Sequence, residues 1–317
     1  MELLEYEHGN EKDILELFQL SFGKEMTVEY WQWRFLNNPF TKDIFIDLMW
    51  ENNTLVGHYA VSPIEINVGG KIVSTALSMT TMTHPQFGGK RIFSTLAENL
   101  YNRLQDKNYS MVWGFPNNNS HYGFNKNLNW RDIAVQAMMT LSLKKIEKNL
   151  KHNTSYQCIT KNSNLSKNII DKLNTSTSIV SIHKSEQYIN WRYFNNPTAN
   201  YKFISINNGE GLIIYKVISS FSNPQSNEID IMDLKFNNDY ETLLNLLSAI
   251  AQEEEYSFSQ FNLWDSLFSE NQIILEKIGF KIQSPVTYIG YRPFENCDSR
   301  VGDYKNWEIG FSYSDVF

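Results

Sequence analysis

The sequence is poor in cysteine: Cys158 and Cys297 stand alone and far apart, and neither fits a disulfide framework or a metal-ligand spacing. No metal site is expected. Apolar runs of membrane-spanning length are also missing, so no inserted helix is expected. The first residues, Met1-Glu2-Leu3-Leu4-Glu5-Tyr6-Glu7-His8, lack the basic and apolar regions of a signal peptide. These absences read as a cytoplasmic protein. There is no basic surplus either: 28 Lys and Arg stand against 35 Asp and Glu, a net charge of −7. Such a field repels polyanions, which argues against nucleic acid or an anionic membrane surface as partner. What the chain has in quantity is apolar substance, 42% hydrophobic and 14% aromatic residues, with 20% charged. Over 317 residues that suits a well-cored globular enzyme of one large or two ordinary domains.

An internal repeat decides between these. Tyr30-Trp31-Gln32-Trp33-Arg34-Phe35-Leu36-Asn37-Asn38-Pro39 returns as Tyr188-Ile189-Asn190-Trp191-Arg192-Tyr193-Phe194-Asn195-Asn196-Pro197, with six of the ten positions identical. Later landmarks keep step, Leu128-Asn129-Trp130 after the first copy and Ile278-Gly279-Phe280 after the second. A matched motif followed by a matched landmark reads as duplication.

Periodicity supplies the elements. Helical stripes run over Asp13–Phe22, over the Trp33 motif up to Pro39, and from Lys90 through Ile92, Phe93, Leu96, Ala97, Leu100, Tyr101 and Leu104. Strand patterns occupy Ile44–Trp50, Leu55–Pro63, Ile64–Val68, Ile72–Met82, Ser110–Phe115 and Ile133–Leu143, with a helix near Ser120–Asn127. The second half repeats this order in reduced form, its strand–helix–strand core lying at Glu228–Leu234, Asp239–Gln252 and Ser257–Leu263. A helix at Glu270–Ile278 and a strand at Val286–Tyr291 close it. Residues 146–178, rich in Lys, Asn, Ser and Thr, read as a connection with room for a short helix over Leu165–Leu173. The expected organisation is thus two tandem domains, 1–145 and 179–317, each an α/β fold of the α+β, mixed-sheet kind.

The segment Thr83-His84-Pro85-Gln86-Phe87-Gly88-Gly89-Lys90-Arg91-Ile92-Phe93, between a strand and an amphipathic helix, suits a diphosphate. Glycines let the backbone approach closely, and a helix N-terminus adds N–H groups and partial positive charge. This segment resembles the strand-four-to-helix-three junction of the GCN5-related N-acetyltransferase (GNAT) superfamily, and the resemblance covers nearly all of the chain outside 146–178. It implies acetyl-CoA as co-substrate, held by Met82, Thr83, Phe87, Gly88, Gly89, Lys90, Arg91, Ile92 and Phe93, and by Asn117 beyond the next strand. The sequence departs from the family pattern in detail. In one register the usual Arg falls on Gly88 and the usual central Gly on Arg91; in the other Gly89 fits and Arg91 takes a position normally small. Gly114 through Trp130 is similar to the family's fifth strand and following helix, where many members carry a Tyr that protonates the departing thiolate. Tyr122 and His121 are the candidate acids. In the second half Glu276-Lys277-Ile278-Gly279-Phe280 resembles the same helix end, but Leu275 stands where that Tyr would act. The junction Ile231–Asp239 contains no glycine, so the second domain is expected to be degenerate, without a CoA loop, and to serve as a wall of the acceptor site.

The resemblance implies direct attack of an amine on a thioester. That reaction needs a base, and backbone N–H groups near Thr81–Thr83 to polarise the carbonyl. His84, His58 and Glu29 are candidate bases; His84, just before Pro85, is preferred. Asp303 and Asp315, in the aromatic C-terminal region, are candidates for meeting a cationic acceptor. Tandem proteins with Trp-Arg-aromatic helices look like those acting on amino sugars, often nucleotide-linked, in surface-polysaccharide assembly. A homo-oligomer is compatible with all of this. The rival readings are a Fem-type tRNA-dependent aminoacyl transferase and a non-catalytic acyl-CoA-binding regulator. The acidic balance and the retained Gly88-Gly89 weigh against the first; the altered loop and the missing Tyr favour the second.

Overall fold

The computed structural model describes residues 1–160, 165–220 and 223–314. In chain order the first half folds as β1 (Glu2–Glu5), α1 (Glu11–Phe22), α2 (Val28–Phe35), β2 (Ile46–Glu51), β3 (Thr54–Val68), β4 (Lys71–Thr83), α3 (Ile92–Asp106), β5 (Met111–Gly114), α4 (His121–Leu128) and β6 (Arg131–Ser142). The second half begins with α5 (Leu143–Ile146), β7 (Gln157–Ile159), α6 (Lys167–Asn174), β8 (Val180–Ile182) and α7 (Glu186–Ile189), which runs into a π turn over Asn190–Phe194. It continues as β9 (Tyr201–Ile206), β10 (Gly211–Ser219), β11 (Asn227–Lys235), α8 (Tyr240–Glu253), β12 (Gln260–Leu263), α9 (Gln272–Ile278) and β13 (Lys281–Pro293). Strands Leu55–Pro63 and Ile64–Val68, expected separately, are one strand. Pro63 lies past the β2 ladder, which ends at Ile46↔Ala60, so its missing N–H breaks no bond to β2.

Two compact units emerge, and they do not divide the chain at 145 and 178. One holds Met1–Ala134, Asn196–Thr198 and Tyr288–Gly302; the other holds Val135–Asn195, Ala199–Thr287 and Asp303–Phe317. The stretch read as a connection belongs to the second unit. Leu150, Ile159, Ile169 and Leu173 are buried, anchors too sparse to give a periodic signal among so many polar residues.

In the first unit β1, β2, β3 and β4 are antiparallel neighbours, β4 runs parallel to β5, and β13 pairs antiparallel with β5 from Gly290↔Gly114 to Pro293↔Met111. The stripe of α3, Ile92, Leu96, Ala97, Leu100 and Leu104, is buried in one core with Val56, Tyr59, Val61, Ala76 and Val112. The second unit repeats this plan. Strands β9, β10 and β11 are antiparallel, β12 is parallel to β11, and β6 pairs antiparallel with β12 from Gln260↔Ser142 to Leu263↔Met139. Helix α8 buries Leu243, Leu246, Leu247 and Ile250 in its own core with Ile213, Ile231 and Phe261. The closing strands are exchanged: β13, last of the second repeat, completes the first unit, and β6, last of the first repeat, completes the second.

The repeated motif keeps its local chemistry. Thr27 caps α2 by accepting from Tyr30 N, and Ser185 caps α7 by accepting from Tyr188 N. Asn38 Oδ1 accepts from Phe40 N, as Asn196 Oδ1 accepts from Thr198 N, each at 2.9 Å. Asn38 also donates to Ser62 Oγ and Pro63 O, fastening the end of α2 onto β3. The C-terminal aromatic run is core of the second unit: Trp307, Ile309, Phe311 and Tyr313 are buried, and Tyr313 OH accepts from Ile182 N.

Candidate active site

Parallel strands β4 and β5 are joined only at Ala76↔Val112 and Leu77↔Trp113. Beyond that point β4 continues to Thr83 while β5 ends at Gly114, so the two part and leave a wedge at their C-terminal ends. Here β4 bulges. The register against β3 slips between His58 and Ala60, and Thr80 takes φ 51°, a costly conformation for a β-branched residue. His58 holds the bulge in place. Its Nδ1 lies 2.8 Å from Thr80 O, an acceptor only, so Nδ1 carries the proton and Nε2 is bare. Burial pulls the imidazole down to about 4, against the bond to Thr80, and Nε2 has no hydrogen-bond partner among the described residues. His58 is therefore a neutral brace for the bulge, ill suited to act as a base near neutrality.

A chain of hydroxyls ends where the wedge begins. Trp130 Nε1 donates to Tyr101 OH at 2.9 Å, Tyr101 and Tyr59 hydroxyls meet at 2.6 Å, and Tyr59 meets Ser78 Oγ at 2.8 Å. An indole N–H can only donate, so Tyr101 accepts from it; in the order in which Tyr101 then donates to Tyr59 and Tyr59 to Ser78, the Ser78 proton is left for a further acceptor. Burial pushes both tyrosines well above their ordinary range, so the chain stays neutral. No sequence signal marks it, because its members come from β3, β4, α3 and the end of α4.

The loop from His84 to Arg91 leads into α3. His84 Nδ1 accepts from Gln86 N and caps a single turn over Pro85–Phe87; this role occupies the lone pair that a base would use. Phe87 packs edge-on to His84 at 5.3 Å, with Lys90 Nζ 4.5 Å from its ring centre. Gly89 has φ 78°, and a Cβ there or at Gly88 would meet nothing within 4 Å. Arg91 is also left-handed (φ 58°) at the N-cap of α3, which has no side-chain cap. An arginine so placed, where glycine, Asn or Asp is the usual choice, leaves the first N–H groups of α3 without a side-chain acceptor. Met82 and Ile92 are buried, Thr83, Phe87 and Phe93 half-buried, and Gly88–Arg91 exposed. Ile92 sits on Gly57, where any Cβ would come within 2.2 Å of it. Phe93 packs on Phe124 and Tyr59. These residues suit an anionic group in front of α3.

On the β5 side, Asn117 Oδ1 accepts from Asn119 N and Ser120 N, shaping the turn into α4. His121 Nε2 lies 2.7 Å from Asp132 Oδ1, and its ring stacks on Tyr288 at 3.7 Å. Asn125 donates to the same Asp132 oxygen. Asp132 thereby orients the imidazole at Nε2, with Asn125 Nδ2 also 3.0 Å from that nitrogen; in the tautomer that donates from Nε2 to Asp132, Nδ1 is the acceptor. Tyr122, by contrast, is 65% exposed, with its hydroxyl accepting from Lys126 Nζ at 2.6 Å. Glu29 is exposed on α2. Asp303 accepts from Lys305 N in a local turn, and Asp315 lies outside the described residues. Among the described residues no group of His, Cys, Asp and Glu could hold a metal ion, and no helix is long and apolar enough to cross a membrane.

The corresponding junction of the second unit differs. Helix α8 is capped by Asp239, whose carboxylate accepts from Thr242 N at 2.7 Å. Leu275 is buried in the core.

A family profile described as an acetyltransferase (GNAT) domain matches residues 4–133. No curated protein matches the sequence. Among solved structures, a probable N-acyltransferase from Enterococcus faecalis V583 superposes with a TM-score of 0.71 at 13% identity, over 93% of this chain and 72% of that one. A GCN5-related N-acetyltransferase from Anabaena variabilis gives 0.70 at 13% identity, over 92% and 72%. Saccharomyces cerevisiae N-myristoyltransferase with bound myristoyl-CoA gives 0.64 at 13% identity, over 97% and 83%. At these identities the likeness is one of fold.

Proposed function

With residues 4–133 forming an acetyltransferase domain of the GNAT superfamily, we propose that this acyltransferase moves an acetyl group from acetyl-CoA to the primary amine of a small molecule. The acceptor class we favour is an amino sugar, free or nucleotide-linked. One observation carries the donor half of this reading. The uncapped N-terminus of α3, with left-handed Gly89 and Arg91 in front of it, adjoins the bulged end of β4. Backbone N–H groups of Gly88–Phe93 and the Arg91 guanidinium suit a diphosphate. The bulge held by His58 presents backbone dipoles of Thr80–Thr83 to a carbonyl.

Acetyl-CoA supplies the activated thioester; the chain binds it, orients it and handles protons. The amine nitrogen bonds to the carbonyl carbon as the carbon–sulfur bond breaks. Of the two protons the ammonium gives up, one leaves through His121 Nδ1 to solvent and the other goes to the departing thiolate. His121, oriented by Asp132, takes the first role. The Ser78 hydroxyl, a donor in the order that runs from Trp130 through Tyr101 and Tyr59, stabilises the sulfur in place of Tyr122, which faces solvent. A soluble panel tests the reading: purified protein with acetyl-CoA should release free thiol in the presence of one or more UDP- or dTDP-amino sugars. CoA binding without thiol release from any amine would overturn it in favour of an acyl-CoA-binding protein.

A further inference from the structure

We propose that the second unit carries a ligand site of its own at the wedge between β11 and β12, and that it takes a small hydroxylated compound through a primary ammonium group. The place corresponds to the acyl-donor wedge of the first unit, since β11 and β12 are joined in parallel only from Ile229↔Phe261 to Ile231↔Leu263. Where they part lies a cavity of about 140 Å³ whose lining includes Ser178, Lys235, Asn238, Asp265, Asn271 and Glu308.

The charges within it do not balance. Lys184 Nζ, fully buried, donates to Asp233 at 2.7 Å and to Glu308 at 3.4 Å. Lys235 Nζ donates to Glu308 at 2.6 Å and to Thr175 O at 2.8 Å. Asp233 also accepts from Tyr193 and Ser312. These two cations and two carboxylates satisfy one another. Asp265 is left over: it accepts from the Ser269 hydroxyl and forms no ion pair among the described residues. Burial, and to a lesser extent Glu308, push its carboxyl up to about 7, against the hydrogen bond from Ser269 and the more distant pull of the Lys235 ammonium.

Its wall is nevertheless held firmly. Asp265 O accepts from Gln136 Nε2 at 3.0 Å, and Gln136 Oε1 accepts from Tyr304 OH at 2.6 Å. A part-buried acid with no ion pair of its own is held back from ionising, as an Asn of the same shape would not be. A ligand ammonium supplies the missing charge. Anions are disfavoured, because Asp265, Glu308 and Glu270 line the cavity and Asp239 already occupies the start of α8. Ser178, Asn238 and Asn271 offer hydroxyl and amide groups to a polyol, and the volume suits one small molecule rather than a nucleotide.

The site is independent of acyl transfer and is tested without acyl-CoA, so its outcome stands apart from that of thiol release. Calorimetry on the full chain at pH 7 would compare glucosamine with glucose and N-acetylglucosamine. Glucosamine should bind one per chain, about tenfold or more tighter than the two rings without an ammonium. Asp265→Asn, with its melting temperature retained, should lose about that factor for glucosamine alone. Ser178→Leu, which fills the cavity and leaves Asp265 in place, should abolish binding. Equal binding of glucosamine and glucose, no saturable heat with glucosamine, or undiminished glucosamine affinity in both folded variants would overturn the proposal.

Discussion

Two junctions occupy the same place in the two repeats, each leading from the last β-strand of an antiparallel run into the helix that precedes its parallel partner. In the first unit the chain passes through Gly88, Gly89 and a left-handed Arg91, and α3 starts with no side-chain cap. In the second it passes from Lys235 to Tyr240, and α8 starts under the carboxylate of Asp239. Both arrangements answer the same physical demand, since the first N–H groups of a helix need an acceptor and its positive end favours negative charge. One unit meets that demand from within the chain; the other leaves it to be met from outside. The scaffold is kept in both copies, while the sign of the charge at one cap position separates them. The two units also differ in their buried polar groups: the second holds the charged set Lys184, Lys235, Asp233 and Glu308, and the first holds the neutral chain of Trp130, Tyr101, Tyr59 and Ser78.

The largest effect that would sharpen this contrast is on stability. Glu308→Ala strips both lysines of a partner and should cost about 3–5 kcal/mol, read by urea denaturation, with CoA affinity unchanged. Burial opposes its charge, but Lys235 and Lys184 hold the Glu308 carboxyl at about 2. Its contribution is therefore complete above the ordinary carboxylate value of about 4.3 and lost as pH falls toward 2. Denaturation between pH 6 and pH 2 should show a steeper acid slope in the parent than in the variant, since Glu11, Glu228, Asp239 and Asp298 are also held low in both.

Arg91→Asp moves the cap charge of the second unit into the first. CoA binding by calorimetry should weaken about 100-fold, as the loss of a charge-assisted contact and the gain of a repelling carboxylate at a helix N-terminus imply. The melting temperature should hold, because Asp accepts both the cap role and the left-handed backbone. An unchanged CoA affinity would break the comparison at its centre. Next, His121→Asn should lower kcat about 100-fold with little change in the acetyl-CoA KM, while Tyr122→Phe should leave both nearly intact. Similar losses in the two variants would return Tyr122 to the role of acid. The smallest effect is at Asp239→Ala, about 1 kcal/mol of stability, with no CoA binding gained, since Phe236–Asn238 offers no glycine to bring backbone near a diphosphate.

Much of this was readable in advance wherever local pattern and local chemistry coincide. The Trp33 and Trp191 copies announced the duplication, the Gly88-Gly89 turn marked the start of α3, and the stripe from Ile92 to Leu104 matched the face that α3 buries. What stayed hidden depends on partners distant in sequence. That His58 braces Thr80, that Asp132 and Tyr288 position His121, and that Ser78 is joined to Trp130 through Tyr59 and Tyr101 are facts of tertiary contact with no spacing to betray them. Asp239 was visible as a helix start, but its bearing on ligand choice needed the carboxylate seen in place. The buried anchors of residues 146–178 were too thinly spread to register, and strand partnership is set by packing more than by intrinsic preference, so no pattern foretold which strand would lie beside β5.

That last point bears on how the protein is made. The edge of β5 waits for β13, so a chain released at residue 145 leaves Met111–Gly114 without its antiparallel neighbour, and Trp130 and Arg131 without Gly290 against them. During synthesis the first repeat must hold its unfinished sheet until almost the whole second repeat has emerged. Such late, long-range closure slows folding and lengthens exposure to misassembly. It also binds the two halves into one inheritance: neither can be lost, swapped or expressed as a module without leaving the other a strand short.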